Sequence, residues 1–277
     1  MNTNANTETY GYNDARGGTP HAKYLRFAHA SVGLTGKSVL EVGGCTPPSA
    51  IAKYRPARWD CVNLDSKAVE SFNSLAQAAR LTGTAAVGDA SQFEVARSYD
   101  VVYSINAFEH IKPLPRAMDC IYKALAEGGH LFTLFGPIWS CDVGHHLSVM
   151  TEAGELHFND GVLSPWEHLT STPEQMHARL EKKYGKAPAD RVIEFVYRFP
   201  DLNRVFEHEF LAIFEKSGLT QVLTLRNKTN KKPPAAAGAT ATRELMVVLR
   251  KGRAGFLETQ RTLARFALAF ARERLNI

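Results

Sequence analysis

The chain has 277 residues, 44% of them hydrophobic and 22% charged, with a formal net charge of +5. That is enough for a full core in one large domain, or in one domain plus a cap. No apolar run approaches the roughly 18 residues of a membrane span. The polar start, Met1 to Gly18, has no apolar stretch of secretory type, so export is not expected. The four cysteines, Cys45, Cys61, Cys120 and Cys141, form no C-x-x-C pair and read as ordinary thiols of a reduced, cytoplasmic protein. The positive excess gathers in the last third, between Arg243 and Arg274, and reads as a solvated basic face. It permits nucleic-acid contact without implying it.

Residues 1–36 read as a lead-in, with Tyr10, Tyr12 and Arg16 suited to a lid over a ligand. From 37 to 137 strand-length apolar runs at 39–42, 59–64, 85–87, 99–104 and 130–135 alternate with helical patterns at 49–54, 67–80 and 114–126. Strand, helix, strand, helix argues for an α/β fold, a parallel sheet with helices on both faces. The alternation then stops. Residues 138–204 are rich in His, Pro, Trp and Gly and form an inserted cap after the fifth strand. Within it one helix is expected at 173–183, opened by the start signal Thr172-Pro173 with Gln175. Residues 205–250 resume regular structure, with a helix at 205–217 and strands at 220–225 and 244–249. Between those strands "NKTNKKPPAAAGATAT" reads as a mobile loop. Residues 251–277 close the chain with an amphipathic helix at 255–275, carrying Phe256, Leu263, Phe266 and Phe270 at helical spacing. It would pack on the body of the protein or on a partner in a homodimer, with a membrane surface as a further option.

Four motifs fall at the carboxyl ends of the first four strands, where an open parallel sheet binds its ligands. The first is "SVLEVGGCTPP", Ser38 to Pro48. Gly43 and Gly44 let backbone approach a ligand closely, but Cys45 and Pro47 stand where a phosphate-binding turn carries more glycine. Asp65 ends the second strand about twenty residues on. It can hold both hydroxyls of a ribose, or cap the following helix. Asp89, in "VGDASQF", either accepts an adenine amino group or closes a turn. Ser104 to His110, "SINAFEH", would form the floor of the same cleft.

The order Glu41-x-Gly43, Asp65, Gly88-Asp89, Asp100 to His110 and Gly128-Gly129 resembles the class I S-adenosylmethionine-dependent methyltransferases. The resemblance covers about residues 37–137 and, more loosely, 205–250. It implies a Rossmann-like, doubly wound, mostly parallel seven-stranded sheet that ends in a reversed hairpin. It also implies roles. Glu41, Gly43 and Gly44 would lie along the methionine part of the cofactor, Asp65 would hold the ribose, and Asp89 and Ala90 would meet the adenine. Asn106 and Ala107 would sit near the sulfonium and the acceptor. S-adenosylmethionine has no phosphate, so the missing glycines damage this reading less than an NAD reading, whose pyrophosphate needs them. The "GG-x-x-P" variant resembles methyltransferases of glycan and natural-product pathways.

The insert should carry the substrate site. Neutral imidazole is a competent base near pH 7, and an alcohol or phenol acceptor must lose a proton. His146 or His145 is the expected base, with His110 as a second candidate; structural or orienting histidines are the alternative. Asp142, His145, His146, His157 and Asp160 match no ligand spacing that would justify a metal. Trp139, Trp166 and His168 could line an acceptor pocket, or pack the cap. The expected reaction is methyl transfer to an oxygen of a small molecule, a sugar or a secondary metabolite. Two other classes compete. A nucleic-acid methyltransferase would draw on the basic C-terminal helix, but "SINAF" replaces the amino-directed Asp/Asn-Pro-Pro-aromatic motif and no Pro-Cys nucleophile occurs. A non-catalytic cofactor-binding or interaction protein would explain Cys45 and Pro47.

Overall fold

The computed structural model describes residues 20–275; the lid residues Tyr10, Tyr12 and Arg16 lie outside them. The chain opens with α1 (His21–Val32), where the sequence reads as a lead-in up to residue 36. Its buried side chains, Tyr24, Leu25, Phe27, Ala28 and Ser31, recur at three- and four-residue spacing and make a stripe that faces the core. Then come β1 (Ser38–Val42), α2 (Pro48–Ile51) with a 3-10 turn at Ala52–Tyr54, β2 (Arg58–Asn63), α3 (Ser66–Ala78), β3 (Ala85–Val87), β4 (Tyr99–Ile105), α4 (Leu114–Ala124) and β5 (Leu125–Phe135). After β5 the chain makes a two-stranded antiparallel hairpin, β6 (Ser148–Thr151) and β7 (Gly154–His157), followed by α5 (Glu167–Thr170), α6 (Pro173–Tyr184), α7 (Lys186–Arg198) and α8 (Glu207–Lys216). It ends with β8 (Thr220–Lys228), β9 (Thr242–Arg250) and α9 (Phe256–Leu275).

The seven long strands form one sheet in the order β3-β2-β1-β4-β5-β9-β8. The first five neighbours pair in parallel. β9 runs against β5: the Gly128 amide donates to Lys251 and the Ile138 amide to Arg243, so one strand advances as the other retreats. This is the expected parallel sheet with a reversed hairpin at one edge.

The described residues fall into two compact units, one of residues 20–135 with Ile213–Leu225 and residues 246–275, the other of Gly136–Ala212 with Arg226–Leu245. The first holds the sheet core. A row of registered partners, Ala85, Cys61, Glu41, Tyr103 and Phe132, crosses it on one face. Tyr103 stacks on Phe132 with centroids 6.0 Å apart and meets the edge of Trp59 at 5.2 Å. α9 lays Phe266 and Phe270 against Phe27 of α1, at 5.1 and 6.2 Å, so this helix packs on the body of its own chain.

The second unit contains two elements that the sequence conceals. α7 buries only Ala189, Val192 and Val196, a thin stripe in a charged stretch. The connection between β8 and β9, expected as mobile, is fastened by backbone bonds instead: Thr229 donates to Ala241, and Thr240 donates to Ser140. A segment without large apolar side chains can still be held when its amides and carbonyls find partners. α6 begins with the expected signal in full, a reciprocal capping box between Thr172 and Gln175.

Removing the Phe266 ring deletes a buried anchor between α1 and α9. We expect Phe266→Ala to lower stability by about 3 kcal/mol, and Phe256→Ala, on an exposed ring, to stay within about 0.5 kcal/mol. Urea unfolding of both variants checks this.

Candidate cofactor and substrate sites

In the first unit, the carboxyl ends of β1 to β4 bring the expected cofactor residues to one edge of the sheet. Glu41 is 2% exposed. Its carboxylate accepts hydrogen bonds from the Thr46 amide (3.0 Å to each oxygen), the Thr46 hydroxyl (2.7 Å), the Trp59 indole (2.9 Å) and the Cys61 thiol (3.6 Å). Burial pushes its pKa up, against the pull of these four donors. The side chain therefore ties the loop after β1 to the sheet. Gly43 has φ +81°, and a Cβ there would stand 2.5 Å from that of Ala107; no other residue fits. A Cβ on Gly44 would meet the Glu41 carboxylate at 2.6 Å. The loop thus needs glycine at 43 and 44, and beyond them Thr46 supplies the anchorage that spares Cys45 and Pro47.

Asp65 caps α3, but both capping amides, Lys67 (2.9 Å) and Ala68 (3.3 Å), fall on Oδ1. Oδ2 keeps its acceptor capacity, so cap and ribose readings are compatible. Asp89 is more fully engaged: Oδ1 accepts from the Ser91 amide and hydroxyl at 2.7 and 2.9 Å, and Oδ2 from Gln92 at 3.0 Å. Partial burial alone would raise its pKa; these bonds outweigh that and hold it below the ordinary carboxylate value. Ala90 beside it is buried. Asn106 sits at φ +48° with its amide on Leu134 (2.9 Å). Its Nδ2 is buried and has no hydrogen-bond partner among the described residues. His110 follows one turn later, its amide on Ala107 at 2.8 Å. The sequence reading missed Leu64, 71% exposed beside Asp65. It closes the mostly apolar stretch Trp59 to Leu64, which hides that its side chain stands in solvent.

In the second unit, the expected substrate residues are mostly buried. Trp166 donates its indole N–H to Ser140 and Thr240 (3.0 and 3.1 Å). Trp139 meets His168 edge-on at 4.6 Å, and the Arg204 guanidinium lies over its ring at 5.7 Å. His168 donates from Nε2 to the Trp139 carbonyl (2.7 Å). Burial pushes its pKa down to about 4 despite that bond. His145 is fully buried and its Nδ1 accepts from the Leu147 amide (3.2 Å), which places its proton on Nε2. Burial, then the neighbouring His168, hold it well below the ordinary imidazole value. His146 is the opposite tautomer. Its Nδ1 lies 2.8 Å from the Gly144 carbonyl and must donate, which leaves the lone pair on Nε2. Its backbone is left-handed, with φ +51°. Asp142 is taken by Arg243 (2.7 and 2.6 Å) and Lys231 (3.2 Å). A cleft of about 530 Å³ lined by Gln92 to Ser98, Cys120 and Lys123 holds none of the expected site residues.

A family model described as a methyltransferase domain matches residues 15–220. The chain belongs to that family. Together with the strand order, this makes it a class I enzyme, the S-adenosylmethionine-dependent kind. Two solved structures share the fold of the methyltransferase. An S-adenosylmethionine-dependent methyltransferase from Clostridium acetobutylicum is 10% identical, with 86% of this chain and 95% of that one covered and a TM-score of 0.54. Another from Mesorhizobium loti is 12% identical, with 83% and 97% covered and a TM-score of 0.50. No curated protein sequence matches the chain. The strand-end residues suit the cofactor: an unsatisfied amide donor at Asn106, a carboxylate oxygen at Asp65 with capacity to spare, and glycine where backbone must approach.

Two outcomes follow from the buried titratable groups. Glu41→Gln turns one acceptor oxygen into a donor among four donors; we expect about 2 kcal/mol lost in urea unfolding. His168 stays neutral in the fold down to about pH 4, whereas the unfolded chain takes the proton near 6.5. Stability should therefore be flat above pH 7 and fall by roughly 3 kcal/mol between 6.5 and 4 through this group. His168→Gln should flatten that slope in urea titrations at pH 7.5 and 4.5; an unchanged slope would show that His168 does not set it.

Proposed function

We propose that the methyltransferase transfers a methyl group to an oxygen of a small-molecule acceptor, a sugar or a secondary metabolite, with His146 as general base. The observation that carries this reading is the tautomer of His146: its proton is on Nδ1, bonded to Gly144, and its lone pair is on Nε2. A hydroxyl acceptor loses its proton as the methyl arrives, and a neutral imidazole with an oriented lone pair takes it. His145, fully buried with its Nδ1 accepting from Leu147, is the weaker candidate. His110 remains the base candidate of the first unit.

S-adenosylmethionine supplies the electrophilic methyl on a sulfonium. The chain supplies binding and alignment. Gly43 and Gly44 lie along the amino-acid end and Glu41 holds that loop in place. Asp65 takes the ribose hydroxyls through Oδ2. Ala90 and the Asp89 turn border the adenine, with exposed Leu64 presenting an apolar face. Asn106 and Ala107 border the transfer site. Trp139, Trp166 and His168 support the acceptor site, a part that their burial suits. We place the enzyme in the cytoplasm, a reading that its four free thiols suit. Among the described residues no helix is long and apolar enough to cross a membrane. Exposed Phe256, Leu257 and Leu268 on α9 suit a homodimer through that helix.

Transfer from isotope-labelled S-adenosylmethionine to a panel of sugars, phenols and amines tests the reading. A labelled hydroxyl compound is expected. His146→Ala should lower kcat by roughly 10²- to 10⁴-fold while S-adenosylhomocysteine still binds. Labelling of amines alone would overturn the oxygen acceptor, and unchanged turnover in both His145→Ala and His146→Ala would overturn the base.

A further inference from the structure

We propose that Cys45 and Cys61 form a dithiol that hydrogen peroxide converts to a disulfide, and that this bond reshapes the cofactor loop. Three contacts set the two side chains on the same face of the sheet. Glu41 Oε2 accepts from both the Cys61 thiol (3.6 Å) and the amide of Thr46 (3.0 Å), the residue joined to Cys45. The Asn63 amide nitrogen lies 3.8 Å from the Cys45 sulfur. Asn63 and Cys61 are two apart on β2 and so project from the same face, which places Cys45 over the face that carries Cys61. Both side chains also pack in the same apolar cluster.

Exposure divides the labour. Cys45 is half-buried and reachable by a small oxidant; Cys61 is 1% exposed. The Cys45 sulfur attacks one peroxide oxygen, the O–O bond breaks, and the products are Cys45–SOH and one water. The Cys61 sulfur then attacks the Cys45 sulfur, the S–O bond breaks, and hydroxide leaves. Glu41, already the acceptor of the Cys61 S–H, takes that proton and passes it to the hydroxide, giving a second water. In total two thiols and one H₂O₂ give one disulfide and two H₂O. Cys61 is fixed in a central strand, so the loop moves toward it. The bond removes Cys61 from Glu41 and shifts the chain between Gly44 and Thr46.

The link to cofactor affinity rests on the cofactor assignment above; the dithiol does not. The full chain, reduced, is treated with hydrogen peroxide and examined by peptide mass mapping, by hydrogen exchange over residues 43–51, and by calorimetry with S-adenosylhomocysteine. A peptide pair joined through Cys45 and Cys61, altered exchange in the loop and affinity at least about tenfold weaker, all reversed by dithiothreitol, are expected. Cys45→Ser and Cys61→Ser should each give no linked pair, and Cys45→Ser should show the same affinity before and after peroxide. Oxidation of Cys45 that stops at sulfenic or sulfinic acid in the wild type overturns the proposal, as does a disulfide that leaves exchange and affinity unchanged. If the reduced protein binds no S-adenosylhomocysteine, the cofactor assignment fails, and linkage with loop exchange alone decides the dithiol.

Discussion

The carboxylate of Glu41 is the interaction on which the loop after β1, and with it the candidate cofactor site, depends. It stands in the middle of an apolar row across the sheet, between Cys61 and Tyr103. A buried carboxylate is costly unless hydrogen bonds replace its water. Here four donors converge on it, and two of them belong to Thr46. The loop after β1 is thereby pulled onto the sheet at a fixed depth, with Gly43 pressed against Ala107. A phosphate-binding loop is shaped by several glycines whose amides must all face a ligand. This loop is shaped from below by a side chain, which is why it tolerates Cys45 and Pro47.

Much of the fold was legible because its inner strands are largely buried and read as short, mostly apolar runs. The same property hid details. Leu64 looks like a further core residue of β2 because it is apolar and follows Cys61 and Val62 closely. α1 escaped notice because it follows a long polar stretch and its apolar stripe spans only three turns. The connection between β8 and β9 reads as mobile on composition, yet hydrogen bonds to backbone, including the Trp166 indole on Thr240, hold it. Composition reports side-chain burial and says little about where a segment's amides go.

The site shows the same division. Asp65 could be read as a cap or as a ribose ligand, and the structure assigns the capping to one oxygen only. His145 and His146 are adjacent and chemically identical in sequence. They are distinguished by the role Nδ1 plays toward the backbone, acceptor in one and donor in the other. No periodicity encodes that difference; it follows from the path of the chain between Gly144 and Leu147. In the same unit, Asp142 is matched by Arg243 and Lys231, so a carboxylate that might seem available for chemistry is neutralised by partners far along the chain.

The central claim is that the strand-end residues of the first unit form an S-adenosylmethionine site built around Asp65. Calorimetric titration of S-adenosylhomocysteine into the purified protein and into Asp65→Ala, with NAD as the control ligand, tests it most directly. Micromolar-range binding to the wild type, lost in Asp65→Ala and absent for NAD, is the expected result. Binding that Asp65→Ala leaves unchanged, or no binding by the wild type, would contradict it.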